Sequence, residues 1–360
     1  MTIVSRSAES GRSPGGRRWP RRLVWLVVCV LVVGGAGLGV VAWQHTYDLR
    51  EESITFEHDG NTLDGVLALP PEGRGPYGLV VLVHGDGPVD ATHDSFYRPL
   101  WESFARAGYA SLSWSKPGVG ASEGDWLEQS MRDRAEETRA ALAWARTRPE
   151  VDADRIGLWG ASQAGWVLPK VAAREPDVRF VIAVSPAINW HRQGRYHLMS
   201  ELRTEGASAA DRTRALERRE RTLDLLRRDA PFADYREAFS DLQGMTARRW
   251  GFVGRNHTAD ATDDLAAVPR DVPVLLILAG HDRNVDAGET EAVYREQLGP
   301  DRLTVEHYPD AAHSLVRDAL ERSTARLTLT GLFAPRSLFA EGFLDDQRRY
   351  LEQVTADPAP

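Results

Sequence analysis

The sequence predicts an α/β protein, a mostly parallel, doubly wound sheet with helices on both faces. Three observations predict it. Short apolar runs alternate with helix-patterned segments from about residue 78 onward. Several runs, such as Gly78–His84 (GLVVLVH) and Pro273–Ala279 (PVLLILA), are continuously apolar, as strands covered on both faces must be. Finally, Arg155–Trp166 (RIGLWGASQAGW) reads as a buried strand that turns sharply into a helix.

Taken in order, residues 1–22 carry six arginines against one acid, Glu9, and Leu23–Trp43 contains no charged residue. About 20 apolar residues span a bilayer as a helix. The run predicts a transmembrane helix over 23–43, with Trp19, Trp25 and Trp43 near its ends and the basic residues 1–22 left in the cytoplasm. The rest of the chain would then lie outside the cytoplasm. A cleaved signal peptide and a secreted product is the alternative. The whole chain has net charge −8 despite its basic start, which argues against nucleic-acid binding. A single cysteine, Cys29, excludes an internal disulfide.

Residues 54–57 and 63–69 predict two strands around the turn Asp59-Gly60-Asn61. Strands follow at 78–84, 109–114, the segment before Ser162, 180–184, 273–279 and 303–308. Helices are expected at 95–107, 131–146, from the Ser162 turn through 173, at 289–298 and at 343–354. One segment breaks the alternation. Residues 189–270 are rich in Arg, Glu, Asp and Ala, with helical spacing around 209–228 and Ser208 and Asp211 as a capping pair. They predict a helical cap over the strand ends, so the core is expected at 44–188 and 271–360. No internal repeat is visible.

The chemistry starts at Gly160-Ala161-Ser162-Gln163-Ala164. A strand-to-helix turn this tight needs small residues two before and two after the serine, which is left exposed at the tip. A serine hydroxyl needs a base to take its proton and a carboxylate to orient that base. In an open α/β sheet these belong on loops at the carboxyl ends of strands. Asp282 follows the strand 273–279 and His313 follows 303–308, giving the order Ser162, Asp282, His313. Asp286 and Asp310 are alternative acids, His281 and His307 alternative bases. Donors for a developing oxyanion are expected from the N–H of Gln163 and from the N–H of Asp86 in His84-Gly85-Asp86-Gly87-Pro88. The Asp86 carboxylate is expected to point away from that oxyanion. Trp166 and Trp190 are candidates to line an apolar acyl pocket. No HExxH or Cys/His cluster is present, so neither a metal nor a cofactor is expected.

Five segments together resemble the α/β-hydrolase superfamily, in its serine esterase and prolyl-oligopeptidase-like branch. They are Val83–Pro88, Ser115–Ser122 (SKPGVGAS), Gly160–Trp166, Gly280-His281-Asp282 and Ala312-His313-Ser314. The resemblance covers residues 52–357. It implies an α/β-hydrolase fold, nucleophile Ser162, acid Asp282, base His313, an oxyanion hole at Asp86 and Gln163, and a cap at 189–270. Ala164 replaces a usual glycine, Asp86 a small hydroxyl residue and Ser115 a common aspartate. The expected reaction is hydrolysis of a small-molecule carboxylic ester. A thioesterase or peptidase, or a membrane-tethered protein that only binds, is the alternative.

Overall fold

The computed structural model describes residues 21–73 and 75–356, the side chains of residues 21–24, 27, 28, 30–33 and 356 excepted. The chain divides into two units, Met1–Thr46 and Tyr47–Pro360. The first contains a helix over Arg21–Gln44, coincident with the predicted span 23–43. Among the described residues no helix is long and apolar enough to cross a membrane. The predicted transmembrane helix therefore finds no support here. The basic segment expected to be cytoplasmic lies, up to residue 20, outside the described residues.

Among the described residues the second unit is built on eight strands: β1 (Arg50–His58), β2 (Asn61–Leu69), β3 (Tyr77–Val83), β4 (Tyr109–Trp114), β5 (Val151–Ala161), β6 (Val178–Val184), β7 (Val274–Ala279) and β8 (Leu303–Tyr308). Their order in the sheet is β1-β2-β4-β3-β5-β6-β7-β8. β1 and β2 form an antiparallel hairpin, and β2 pairs antiparallel with β4. The remaining pairs are parallel. The hairpin turn is Asp59-Gly60, both at positive φ (49° and 74°), a backbone twist that suits a two-residue hairpin.

The apolar runs point their side chains alternately into two cores. Val81, Leu158 and Leu276 face one core, packed with Leu142 and Val171 of the flanking helices Met131–Ala145 and Leu168–Ala172. Leu82, Trp159 and Ile277 face the other, packed with Phe104 and Leu351 of the helices Arg98–Arg106 and Phe343–Ala356. With both faces covered, the strands tolerate no polar alternation. This is why they read as continuous apolar runs.

The sheet changes winding direction at β3, since β4 lies on one side of it and β5 on the other. Crevices form at the carboxyl ends of strands at such a switch point. Val83 is paired with Gly160, so the segments 84–86 and 161–163 emerge side by side.

Two helices differ from expectation. The one expected at 95–107 begins at Arg98, because His93, Asp94 and Ser95 all take positive φ (50°, 52° and 73°). The Asp90 carboxylate holds that loop by accepting from the N–H groups of Thr92 and Asp94. The helix expected through 173 is split into a 3-10 turn, Ser162–Trp166, and a short helix, Leu168–Ala172.

The cap comprises helices Trp190–Thr204, Ala209–Arg227, Phe232–Ala238 and Ala247–Asn256. Ser208 and Asp211 cap the second reciprocally, as their spacing predicts. The cap is stitched at its neck, where Trp190 N–H donates to Ala259 O and Ala261 N–H to Ile188 O, both at 2.9 Å.

Candidate active site

The turn after β5 places Ser162 at φ +56°, a left-handed pose uncommon for a residue with a side chain. Small neighbours make that pose possible. A Cβ on Gly160 would lie 2.6 Å from Ala164 Cβ and 3.0 Å from Val83 O. A Cβ on Gly165 would lie 2.5 Å from Ala187 O. Ala164 is fully buried, so its methyl group moves the steric demand of the turn onto Gly160.

Asp282 and His313 come together from the loops after β7 and β8. The His313 Nδ1–H faces Asp282 Oδ2 at 2.8 Å. The other carboxylate oxygen, Oδ1, accepts the N–H groups of Asn284 and Val285, each at 2.8 Å. Asp282 is 7% exposed. Ser162 and His313 line one cavity of ≈ 280 Å³ together with Gly85 and Asp86, and Trp159, Phe96 and Phe339 are among its apolar walls.

Two of the four alternatives are engaged elsewhere. Asp286 caps the helix Ala287–Leu298 through the N–H groups of Gly288 and Glu289. His307 Nε2 lies 3.0 Å from Glu291 on an exposed edge. Asp310 is exposed. His281 lies, with His313, on a separate cavity of ≈ 320 Å³.

The loop after β3 lies against the serine. A Cβ on Gly85 would be 3.5 Å from Ser162 Cβ. Among the described residues the Asp86 N–H donates to no protein acceptor. The Asp86 carboxylate turns to the cap, accepting both terminal nitrogens of Arg249 (3.1 and 2.6 Å) and Gln163 Nε2 (3.0 Å). Burial raises its pKa, but the Arg249 bonds and charge, then Lys116, outweigh this and hold the carboxyl below its ordinary value.

Beneath this loop sit three buried groups that sequence reasoning did not single out. His84 Nε2–H donates to Trp114 O (2.5 Å) and its Nδ1 accepts from Tyr97 Oη (3.1 Å). Burial, then the Lys116 charge, push its pKa down to about 3, so the ring is a neutral strut. Arg134 donates to His84 O (2.5 Å) and to Gln163 Oε1 (2.7 Å). Lys116 Nζ donates to Gly85 O (2.5 Å). Burial, with Arg134 nearby, drives the Lys116 pKa well below its ordinary value. One signal was present in the sequence, because Lys116 is one of two lysines in an arginine-rich chain.

The cap touches both loops of the site. Arg249 holds Asp86, while Tyr196 Oη–H donates to Asp282 O (2.9 Å) and Gln193 Nε2–H to Asn284 O (3.0 Å). Between cap and serine lies a second cavity of ≈ 440 Å³, lined by Ser162, Gln163, Trp166, Trp190, Arg249 and Phe252 among others. Trp166 also serves packing, since it is buried and its Nε1–H donates to Ile188 O at 2.7 Å. Among the described residues no group of three His, Cys, Asp or Glu side chains could hold a metal ion.

Comparison with known proteins agrees with this architecture. Residues 74–319 match the family described as serine aminopeptidase, S33. A polyketide transferase, grgF, of a Penicillium species is 33% identical over 132 residues, 36% of this chain and 43% of that protein. A thiohydrolase, apmlB, of Arthrinium phaeospermum is 32% identical over 139 residues, 38% of this chain and 43% of that protein. The matched stretch thus spans less than half the length of either relative. The crystal structure of an esterase from Pyrococcus furiosus superposes with a TM-score of 0.53 at 16% identity, covering 87% of this chain and 92% of that one. At that identity the likeness shows the fold.

Proposed function

Because the chain belongs to the serine aminopeptidase S33 family of α/β-hydrolases, we propose that it cleaves carboxylic esters through an acyl-enzyme. The observation that carries this reading is the Asp282–His313 pair at 2.8 Å on a cavity that also holds the left-handed Ser162. In this mechanism His313 Nε2 takes the Ser162 proton as Oγ attacks the acyl carbon. The oxyanion is met by the N–H groups of Asp86 and Gln163. The intermediate collapses, the C–O bond to the alcohol breaks, and the imidazolium returns its proton to the leaving oxygen. Water, deprotonated by His313, then releases the acid and restores the serine.

Ester is favoured over aminopeptide by charge. An aminopeptidase needs a carboxylate near the nucleophile for the substrate's α-ammonium. Among the residues lining the two cavities at Ser162, the one carboxylate is Asp86, and Arg249 already holds it. Thioester cleavage is the second reading, favoured by the thiohydrolase relative. The same triad serves it, and a thiolate leaves with less help from the acid. We also propose that the uncharged run 23–43 tethers the enzyme to a membrane, with the catalytic unit outside the cytoplasm. Its support is the run itself and the arginines before it. Carbonate-washed membranes that retain the full chain would support the tether, and recovery in the wash would refute it.

The test of the chemistry is a panel of p-nitrophenyl esters of graded acyl length, beside acyl thioesters and aminoacyl p-nitroanilides. The reading predicts an initial burst of p-nitrophenolate and no turnover in Ser162→Ala. Preference for the anilides, or undiminished turnover in Ser162→Ala, would overturn it.

A further inference from the structure

Lys116 is placed where neither solubility nor packing explains it. It is 2% exposed, and its Nζ lies 5.0 Å from the Trp126 ring centre and 2.5 Å from Gly85 O. Burying an amine is unfavourable unless its hydrogen-bonding groups are used. A methionine would fill such a space without the desolvation.

The gain is legible in one peptide group. Gly85 C=O and Asp86 N–H are the two ends of a single planar amide. Fixing the oxygen fixes the direction of the N–H. A hydrogen bond donated to the oxygen also draws electron density from the nitrogen and strengthens the N–H as a donor. Arg134 makes the matching contact one peptide earlier, at His84 O, and holds the side chain of Gln163. The Asp86 carboxylate, which would oppose an oxyanion, is meanwhile engaged by Arg249. We propose that Lys116 is a positioning residue of the oxyanion hole, orienting and polarising the Gly85–Asp86 peptide so that its N–H meets the developing negative charge.

The inference rests on the serine-hydrolase reading, and its test separates the two. The full-length protein and its Lys116→Met and Lys116→Gln variants are compared in three measurements. These are the second-order rate of fluorophosphonate labelling, the affinity for an arylboronic acid that forms a tetrahedral serine adduct, and kcat and KM on the best p-nitrophenyl ester. The expected result for Lys116→Met is a labelling rate, boronate affinity and kcat each lower by about tenfold or more. KM and melting temperature stay near the wild-type values, a split that a merely structural role would not produce. Wild-type labelling and boronate affinity in Lys116→Met would overturn the proposal and leave the hydrolase reading intact. A well-folded wild type that takes no label would instead remove that reading. Should Lys116→Met fail to fold, Lys116→Gln carries the comparison. A tenfold loss there supports the proposal, and a wild-type rate overturns it.

Discussion

The Asp282→Asn substitution tests the acid–base pair without disturbing its shape. Oδ1 of Asp282 accepts two backbone N–H groups, from Asn284 and Val285, each at 2.8 Å. Those donors require an oxygen, so the carboxamide oxygen of the variant side chain must stay there. Its NH2 then takes the place of Oδ2 and faces His313 Nδ1, which Oδ2 meets at 2.8 Å. An amide nitrogen only donates, so Nδ1 must become an acceptor and the imidazole proton moves to Nε2. That tautomer cannot take the Ser162 proton. In triads of this kind a fixed wrong tautomer lowers kcat by about 10⁴, which is about 5.4 kcal/mol of barrier. Stability should change little, since the two backbone bonds persist. The assay is kcat/KM on the best p-nitrophenyl ester, with urea unfolding alongside. Activity within tenfold of wild type, in a folded protein, would refute the reasoning.

Three further outcomes follow from the same geometry. Gly160→Ala should destabilise the elbow by about 1–3 kcal/mol, through the 2.6 Å approach to Ala164 Cβ. Adding Ala164→Gly should recover part of the loss in urea unfolding, whereas strict additivity would contradict the contact. His84, with its pKa held down to about 3, stays neutral when folded, while the unfolded chain binds its proton below about pH 6.5. Stability should therefore rise with pH across this window and fall on acidification, by up to about 1.4 kcal/mol per pH unit. A His84→Gln variant should show a shallower slope in unfolding series from pH 7 to 5, and equal slopes would count against the neutral strut. Asp86→Ala keeps the backbone N–H and should hold turnover within about threefold. A large loss with a shifted pH optimum would mean that the carboxylate takes part.

Much of the fold is legible in local pattern. A strand covered on both faces must be apolar throughout, so β3 and β7 declare themselves as GLVVLVH and PVLLILA. The candidate site residues can be named in the sequence because the proposed chemistry and the topology constrain them together. Asp282 and His313 had to follow strands, and they do. What stayed hidden depends on contacts between distant segments. Arg249 meets Asp86 across 163 residues, and Tyr196 reaches Asp282 O across 86. Nothing in the local sequence of the cap marks either. The break between Ser162–Trp166 and Leu168–Ala172 was also missed, though Pro169 marks it by lacking an N–H to continue the helix.

The account stands on Ser162 being the nucleophile. Peptide mapping of the full-length protein after exposure to a fluorophosphonate tests this most directly. The account predicts a single adduct on the peptide containing Ser162, formed much more slowly in His313→Ala and absent in Ser162→Ala. An adduct on another residue, or none on a folded and monodisperse protein, would contradict it.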